Sequence, residues 1–128
     1  MTHEEYNRLS GIILDCCITV HKEMGPGLLE SVYELCLMKE FELRNIYAEN
    51  QVQIPLMYKG FELSKSFRVD ILVEKEIVLE IKSVEEMLPV YKAQIISYLK
   101  HSEKKLGFLV NFNVPLLKKG FKRFVNNF

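Results

Sequence analysis

Apolar residues recur at helical spacing near the start of this chain, and local signals mark both ends of the helix that they predict. Thr2 and Glu5 have the spacing of a capping box, in which each side chain accepts a hydrogen bond from the other residue's backbone. Gly25, Pro26 and Gly27 predict the end of the helix, because proline cannot continue it and glycine supplies the turn. The apolar stripe between these ends consists of Leu9, Ile12, Ile13, Cys16, Val20 and Met24.

A second helix is predicted at residues 28–45 from the same helical spacing. At about 100° per residue, Glu30 lies at the margin of its apolar stripe, beside Tyr33 and Leu37. The side chains predicted to face inward are Leu29, Val32, Tyr33, Cys36 and Leu37.

The pattern then changes to the alternation that is typical of β-strands, which are predicted at residues 52–58, 61–73 and 77–82. A turn at Lys59-Gly60 joins the first two strands. Two further strands are predicted near the end of the chain, at residues 106–112 and 121–125.

A third helix is predicted from Pro89, which suits the first helical turn, to a residue near His101. With no internal repeat and no linker, the order of helices and strands predicts one α/β domain at residues 1–128, with helices flanking a central mixed sheet. One face of the third helix carries Tyr91, Gln94, Ile95, Tyr98 and Leu99.

The strands on either side of Glu74, Lys75 and Glu76 favour one antiparallel register, because a slip by one residue would pair apolar side chains with charged ones. In that register Asp70 lies opposite Glu80, with the two β-carbons about 5 Å apart. The pairs predicted for one face are Val73 with Ile77, Ile71 with Leu79 and Val69 with Ile81, and those for the other face are Leu72 with Val78, Asp70 with Glu80 and Arg68 with Lys82.

Two opposed carboxylates destabilise such a hairpin unless their charge is compensated. At an effective dielectric constant near 20 and roughly 5 Å, they repel by about 3 kcal/mol, a large part of the roughly 5–15 kcal/mol that stabilises a small domain. A divalent cation would reverse the sign of this interaction, and Mg²⁺ typically takes one or two carboxylate ligands. Lys82 would then orient an attacking water or neutralise charge that develops on phosphorus. The alternative is that Asp70 and Glu80 are solvated strand residues and that Lys82 pairs with Glu80.

Composition is that of an ordinary soluble globular protein, with 48% hydrophobic and 27% charged residues. No apolar run reaches the roughly 18 residues of a membrane span, and the first residues do not read as a secretory signal. We therefore expect a cytoplasmic location and no membrane partner. Cys16, Cys17 and Cys36 contain no CxxC pair, so buried free thiols are expected.

Charge is balanced overall but unevenly distributed along the chain. The net charge is zero, whereas residues 98–128 contain seven lysines and arginines against one acid, Glu103. This part of the chain either follows a phosphate backbone or forms a solvated, lysine-rich surface. The candidate nucleic-acid-binding residues are Lys118, Lys119, Lys122 and Arg123.

The hairpin and its neighbours resemble the PD-(D/E)xK nuclease superfamily, with Val69 in place of the proline before the aspartate and Tyr91 where relatives often have histidine. The segment GLLESVY (Gly27, Glu30, Tyr33) resembles the motif that names the small GxxExxY proteins of that superfamily. The similarity covers most of the chain in order, through VHKEMGPGLLESVYE, YKG, FRVDILV, LEIKS, AQIISYLK and GFLVNF.

The resemblance implies a restriction-endonuclease-like core and a nuclease that uses Mg²⁺ or Mn²⁺ to hydrolyse phosphodiesters, in DNA in preference to RNA. Tyr33 and Tyr98 are expected to be core aromatics whose hydroxyls reach the site. The implied site consists of Asp70, Glu80 and the Ile81 carbonyl as metal ligands, Glu30 as a ligand directly or through water, Lys82 as the catalytic lysine, and Gln94 in an assisting role. Two other functions stay open: a non-catalytic nucleic-acid-binding or assembly module that keeps the nuclease fold, and a purely structural oligomer such as a homodimer.

Overall fold

The helices begin and end close to the positions that the local signals predict. In the computed structural model, which describes all 128 residues, α1 spans His3–Met24, α2 spans Glu30–Leu43 and α3 spans Pro89–Ser102. The capping box is confirmed, because Thr2 Oγ1 accepts from the Glu5 backbone and the Glu5 carboxylate accepts from the Thr2 backbone, both at 3.1 Å. No helix is both long and apolar enough to cross a lipid bilayer.

Helix α2 is shorter than the predicted 28–45, and the inward position predicted for Leu29 is wrong. Leu29 is the residue before the helix, has an extended backbone and is 73% exposed. Helical periodicity therefore does not apply to it. The residues that α2 buries are Tyr33, Leu37 and Phe41.

Five strands form one mixed sheet in the order β1-β2-β3-β4-β5. Neighbouring strands are antiparallel except β3 and β4, which run parallel because α3 lies between them in the chain. This arrangement confirms the predicted mixed sheet flanked by helices. The strands are β1 at Ala48–Tyr58, β2 at Phe61–Val73, β3 at Ile77–Lys82, β4 at Leu106–Asn111 and, after a short 3₁₀ turn at Leu117–Gly120, β5 at Phe121–Val125.

The two faces of the sheet pack against different helices. Helices α1 and α2 cover one face, where Tyr33 and Leu37 lie in the main core with Leu79 and Ile81. Helix α3 covers the other face, where Leu99 packs in a smaller cluster. Glu80 and Lys82 alternate with Leu79 and Ile81 along β3, so their side chains lie on the α3 face.

The predicted register of the β2–β3 hairpin is confirmed near the turn and is wrong beyond it. The pairs of Val73 with Ile77, Leu72 with Val78 and Ile71 with Leu79 form as predicted. The ladder ends there, and the predicted pairs of Asp70 with Glu80, Val69 with Ile81 and Arg68 with Lys82 do not form as ladder pairs.

The reason is a change in alternation at Asp70. Val69 packs on the α3 face with Leu72, although regular alternation would put it with Ile71 on the other face. On the neighbouring strand β1, Gln51 stands opposite Asp70 and has a φ of +52°, which is uncommon for a residue other than glycine. Both strands are therefore distorted at the level of Asp70.

Candidate active site

Asp70 and Glu80 meet where β2 and β3 separate, and each carboxylate bonds to the backbone of the opposite strand. Glu80 Oε1 accepts a hydrogen bond of 3.2 Å from the Asp70 backbone N–H. Asp70 Oδ2 accepts one of 2.8 Å from the Ile81 backbone N–H. These crossed bonds replace the regular ladder and hold the two carboxyl groups side by side.

Burial makes this pair of carboxyl groups hard to ionise. Desolvation is the largest cause that raises the pKa of Glu80, to about 9, and the charge of Asp70 adds to it. Desolvation also raises the pKa of Asp70, although the hydrogen bond from Ile81 opposes that effect. Without a cation the pair therefore retains a proton at neutral pH, and a bound cation would displace it.

Lys82 lies beside the two carboxyl groups. The ion pair with Glu80, which the sequence analysis gave as the alternative, does not form. The Lys82 ammonium lies over the ring of Tyr91, with Nζ 4.5 Å from the ring centroid. The positive charge of Lys82 lowers the pKa of both Asp70 and Glu80, which shows that it acts on them through space. The ammonium is thus positioned by an aromatic ring and keeps its hydrogen-bond donors for another group.

Helix α3 brings Tyr98 to the same place. Its ring stacks on Phe67 of β2 with centroids 4.4 Å apart. Burial raises the pKa of Tyr98, and the charges of Glu80 and Asp70 raise it further. Tyr98 therefore lies close enough to the carboxylate pair for their charges to act on its hydroxyl.

Glu34 is a neighbour of Asp70 that the sequence analysis missed. It lies one turn after Glu30 on α2, and its charge contributes to the raised pKa of Asp70, after desolvation. Its carboxylate accepts hydrogen bonds from Gln51 Nε2 at 2.6 Å and from Asn50 Nδ2 at 3.1 Å. Glu34 follows Glu30 by four residues, so the two lie on one face of the helix, and this spacing could have indicated Glu34 from the sequence.

Glu30 takes a different position, beside the residue that follows Lys82. Glu30 is exposed, and its Oε1 accepts a hydrogen bond of 3.4 Å from the Ser83 backbone N–H. It lines an open cleft of about 490 Å³ together with Leu28, Ser83 and Asn113. No group of three or more His, Cys, Asp and Glu side chains is arranged to hold a metal ion, so Glu30 does not join the buried pair in this structure.

Comparison with known proteins identifies the family. The family model of the PD-(D/E)XK nuclease superfamily matches residues 7–124, which is nearly the whole chain. The match includes all five strands apart from Val125, the last residue of β5. The chain belongs to this superfamily. No curated protein matches it.

A solved structure supports the same fold. The crystal structure of SSO0001 is 24% identical in sequence and superposes with a TM-score of 0.50. The match covers 73% of this chain and 47% of SSO0001, so this chain spans about half the length of that protein. The likeness concerns the fold alone.

Two side chains of this superfamily member do not contact the carboxylate pair as the sequence analysis expected. Gln94 is exposed and makes no side-chain hydrogen bond. Tyr33 is buried and stacked on Phe112, and its hydroxyl donates to the Gly25 carbonyl and accepts from the Leu28 backbone N–H. Tyr33 therefore fixes the turn that leads into Glu30.

Asn111 at the end of β4 is a second residue that the sequence analysis did not single out. It is buried, and its side chain exchanges hydrogen bonds with the backbone N–H and carbonyl of Val84. Since Asn111 pairs in register with Lys82, these bonds hold the segment that directly follows the lysine. Only the tertiary structure brings the ends of β3 and β4 together in this way.

The basic cluster of the C-terminal segment is divided between the two faces of the sheet. Lys122 pairs with Leu109, which pairs with Glu80, so Lys122 lies on the face that carries the carboxylates. Arg123 lies on the other face, with its guanidinium 4.9 Å from the centroid of the Phe128 ring. Lys118 and Lys119 are exposed on the 3₁₀ turn before β5.

Proposed function

We propose that this chain is a metal-dependent nuclease that hydrolyses phosphodiester bonds, in DNA in preference to RNA. The observation that carries the proposal is the pair of half-buried Asp70 and buried Glu80, held by crossed hydrogen bonds with Lys82 beside it. Such a pair destabilises the fold unless a proton or a cation compensates its charge. Its superfamily consists of nucleases that usually use divalent metal ions.

The residues present fit a hard cation such as Mg²⁺ or Mn²⁺, which prefers oxygen ligands. Asp70 and Glu80 would each supply a carboxylate oxygen and Ile81 its backbone carbonyl, while Glu30 would contribute directly or through water. When bound, the cation supplies positive charge that stabilises phosphate oxygens and lowers the pKa of a water molecule.

The chemistry assigned to the protein's own side chains is positioning and charge stabilisation. In hydrolysis a water oxygen bonds to phosphorus while the bond to the leaving sugar oxygen breaks, and the water loses a proton as the leaving oxygen gains one. Lys82 would hold the attacking water or stabilise the charge that develops on the phosphoryl oxygens, since Tyr91 keeps its ammonium in place. Tyr98 would exclude bulk water from the carboxylates, and Gln94 would assist from the same face of α3 once nucleic acid is bound.

Within the superfamily we assign the chain to the GxxExxY group. The motif residues have identifiable tasks here: Gly27 has a φ of +90°, Tyr33 anchors the turn and Glu30 faces the end of β3. Residues 1–128 would form one domain, since a single sheet carries every element of the site.

One observation favours a second candidate, a nucleic-acid-binding module without catalytic activity. Glu30 is exposed and separate from the buried pair, so the site contains two grouped carboxylates and not three. A module of this kind would keep the fold and the basic residues for binding alone.

A cleavage assay separates the two candidates. Purified protein would be incubated with linear, circular, single-stranded and branched DNA and with RNA, in Mg²⁺ or Mn²⁺. Cutting that disappears in Asp70→Asn but persists in Glu86→Gln, which changes an exposed acid, supports the nuclease. Absence of cutting on every substrate by protein that still binds nucleic acid would favour the inactive module.

A further inference from the structure

The hairpin of β1 and β2 extends beyond the body of the protein as an arm. Residues 57–66 are exposed without interruption, although they form the ends of two strands and the turn at Lys59-Gly60. No helix covers either face of this segment. An ordered hairpin without a packing partner is unusual, because two strands alone bury little apolar surface.

Two exposed aromatic residues are paired across the strands near the tip of the arm. Tyr58 and Phe61 are direct partners across the strands, so their side chains share one face. They are 61% and 73% exposed. The register of β1 and β2 shifts between Pro55 and Met57, so the aromatic pair lies beyond an irregularity in the hairpin.

The arm is positively charged in a chain whose net charge is zero. Lys59, Lys65 and Arg68 are all exposed, and Glu62 is the only acid between residues 53 and 68. The Lys59 ammonium lies 5.5 Å from the centroid of the Tyr58 ring, so a cation and an aromatic surface are adjacent. Basic side chains beside exposed rings are the combination by which proteins bind single-stranded nucleic acid.

The arm is directly connected to the candidate active site. Strand β2 carries Phe61 at one end and Asp70 toward the other, and Phe67 between them stacks on Tyr98. At about 3.3 Å per residue, Phe61 and Asp70 are at most about 30 Å apart along the strand. A strand of stacked nucleotides at about 3.4 Å each would cover that distance in roughly nine nucleotides.

We propose that the arm binds unpaired bases of the nucleic-acid strand some distance from the point of cleavage. Tyr58 and Phe61 stack on these bases, and Lys59 and Lys65 bind the phosphates next to them. The substrate class is accordingly single-stranded nucleic acid or a duplex with an unpaired segment. This inference rests on the proposed function for its link to cleavage, but the binding itself does not depend on catalysis.

The available area argues against a second copy of the chain as the occupant. Tyr58, Phe61 and Leu63 expose about half to three-quarters of their surface. With roughly 150–250 Å² for each aromatic side chain, Tyr58 and Phe61 offer about 200–330 Å² per copy, whereas a stable interface needs about 800 Å² from each partner. Two arms with a net positive charge would also repel each other.

The test is binding of a fluorescently labelled 16-nucleotide single-stranded DNA to the full chain in EDTA, where no metal-dependent cleavage occurs. We expect Tyr58→Ala/Phe61→Ala to weaken binding by about tenfold or more for each ring removed. Lys59→Gln/Lys65→Gln should reduce the slope of log affinity against log salt by about 1.4, at about 0.7 for each phosphate contact.

Tyr47 and Lys75, at the other end of the same hairpin, provide the matched control. Tyr47 is also exposed, and the Lys75 ammonium lies 5.8 Å from the centroid of its ring. Tyr47→Ala/Lys75→Gln removes one exposed aromatic ring and one lysine outside the arm and should leave both affinity and salt slope unchanged.

A single tryptophan gives a second readout that does not depend on loss of binding. The chain contains no tryptophan, so Phe61→Trp introduces a unique fluorophore at the tip of the arm. Single-stranded DNA should quench its emission by stacking, whereas Tyr47→Trp should show no change. Quenching at both positions or at neither would contradict the proposed location.

The outcomes distinguish this inference from the proposed function. Arm variants that bind the oligonucleotide as the wild type does would overturn the inference, even if the wild type cleaves DNA. The same holds if the arm variants convert a dimer into a monomer with unchanged binding, or if the wild type binds no single-stranded DNA. Arm-dependent binding by a protein that cleaves nothing would support the inference and count against the nuclease.

Discussion

The Ile81 backbone N–H donates a hydrogen bond of 2.8 Å to Oδ2 of Asp70, and this bond takes the place of a regular rung between β2 and β3. The bond directs the Asp70 carboxylate toward β3, the strand that carries Glu80. The Glu80 carboxylate in turn accepts a hydrogen bond from the Asp70 backbone. Backbone N–H groups of both strands therefore hold the two carboxyl groups close together. The predictions below test what that arrangement does.

Divalent cations should stabilise the folded protein through this pair. A ligand that binds only the folded state stabilises it, by about 2.7 kcal/mol at a concentration of 100 times its Kd. We expect millimolar Mg²⁺ or Mn²⁺ to raise the melting temperature measured by differential scanning fluorimetry. Asp70→Asn should lose most of that rise, whereas Glu86→Gln should keep it. An equal rise in Asp70→Asn would place the cation elsewhere.

In EDTA, stability should fall as the pH increases through the neutral range. Burial, and then the charge of Asp70, raises the pKa of Glu80 from 4.5 to about 9, so the folded state binds more protons than the unfolded state between these values. The free energy of unfolding should therefore decrease with a slope approaching about 1.4 kcal/mol per pH unit in that window. Urea unfolding at several pH values would measure it. Glu80→Gln should remove most of the slope, and a stability that rises with pH would contradict the assignment.

Lys82 should matter for the rate of cleavage and much less for binding. Removing one preorganised electrostatic group typically lowers turnover by a factor on the order of 10²–10³. Lys82→Met should therefore fold and bind nucleic acid but hardly cut it, because ground-state binding rests on other contacts. Single-turnover kinetics with saturating enzyme would separate the two effects. Cleavage at the wild-type rate by this variant would exclude a catalytic lysine.

Lys122 and Arg123 of β5 should differ in their contribution to nucleic-acid affinity, because they lie on different faces of the sheet. Lys122 shares the face of Glu80, whereas Arg123 lies on the other face over Phe128. Lys122→Gln should reduce the slope of log affinity against log salt by the contribution of about one phosphate contact. Arg123→Gln is the matched control and should change it less. Equal effects of the two changes would contradict a binding surface on one face.

Glu34 should support Asp70 by holding the distorted part of β1. It accepts hydrogen bonds from Asn50 and from Gln51, the residue with positive φ that stands opposite Asp70. Glu34→Ala should lower stability by about 1 kcal/mol, since these bonds are partly exposed. It should also reduce the Mg²⁺-induced rise in melting temperature, and Glu34→Gln should restore part of it because an amide oxygen still accepts. An unchanged cation response in Glu34→Ala would limit Glu34 to a local structural role.

The sequence by itself determined the elements whose signals are local. The capping box at Thr2, the glycine that ends α1 and the first three pairs of the β2–β3 hairpin all depend on residues close in the chain. For the same reason the proximity of Asp70 and Glu80 was predictable, because alternation over a short hairpin leaves few registers, although the two residues do not form a ladder pair. The superfamily followed from the order of these motifs.

Only the tertiary structure decided features that join distant segments. The alternation changes at Asp70, where hydrogen bonds from β3 to Asp70 and between α2 and β1 meet, and the hairpin sequence alone contains no sign of it. Burial under α3 raises the pKa of Glu80, and the pairing of β4 with β3 and β5 puts Lys122, and not Arg123, on the face of Glu80. Packing and desolvation depend on which surfaces meet, and local periodicity carries no information about that choice.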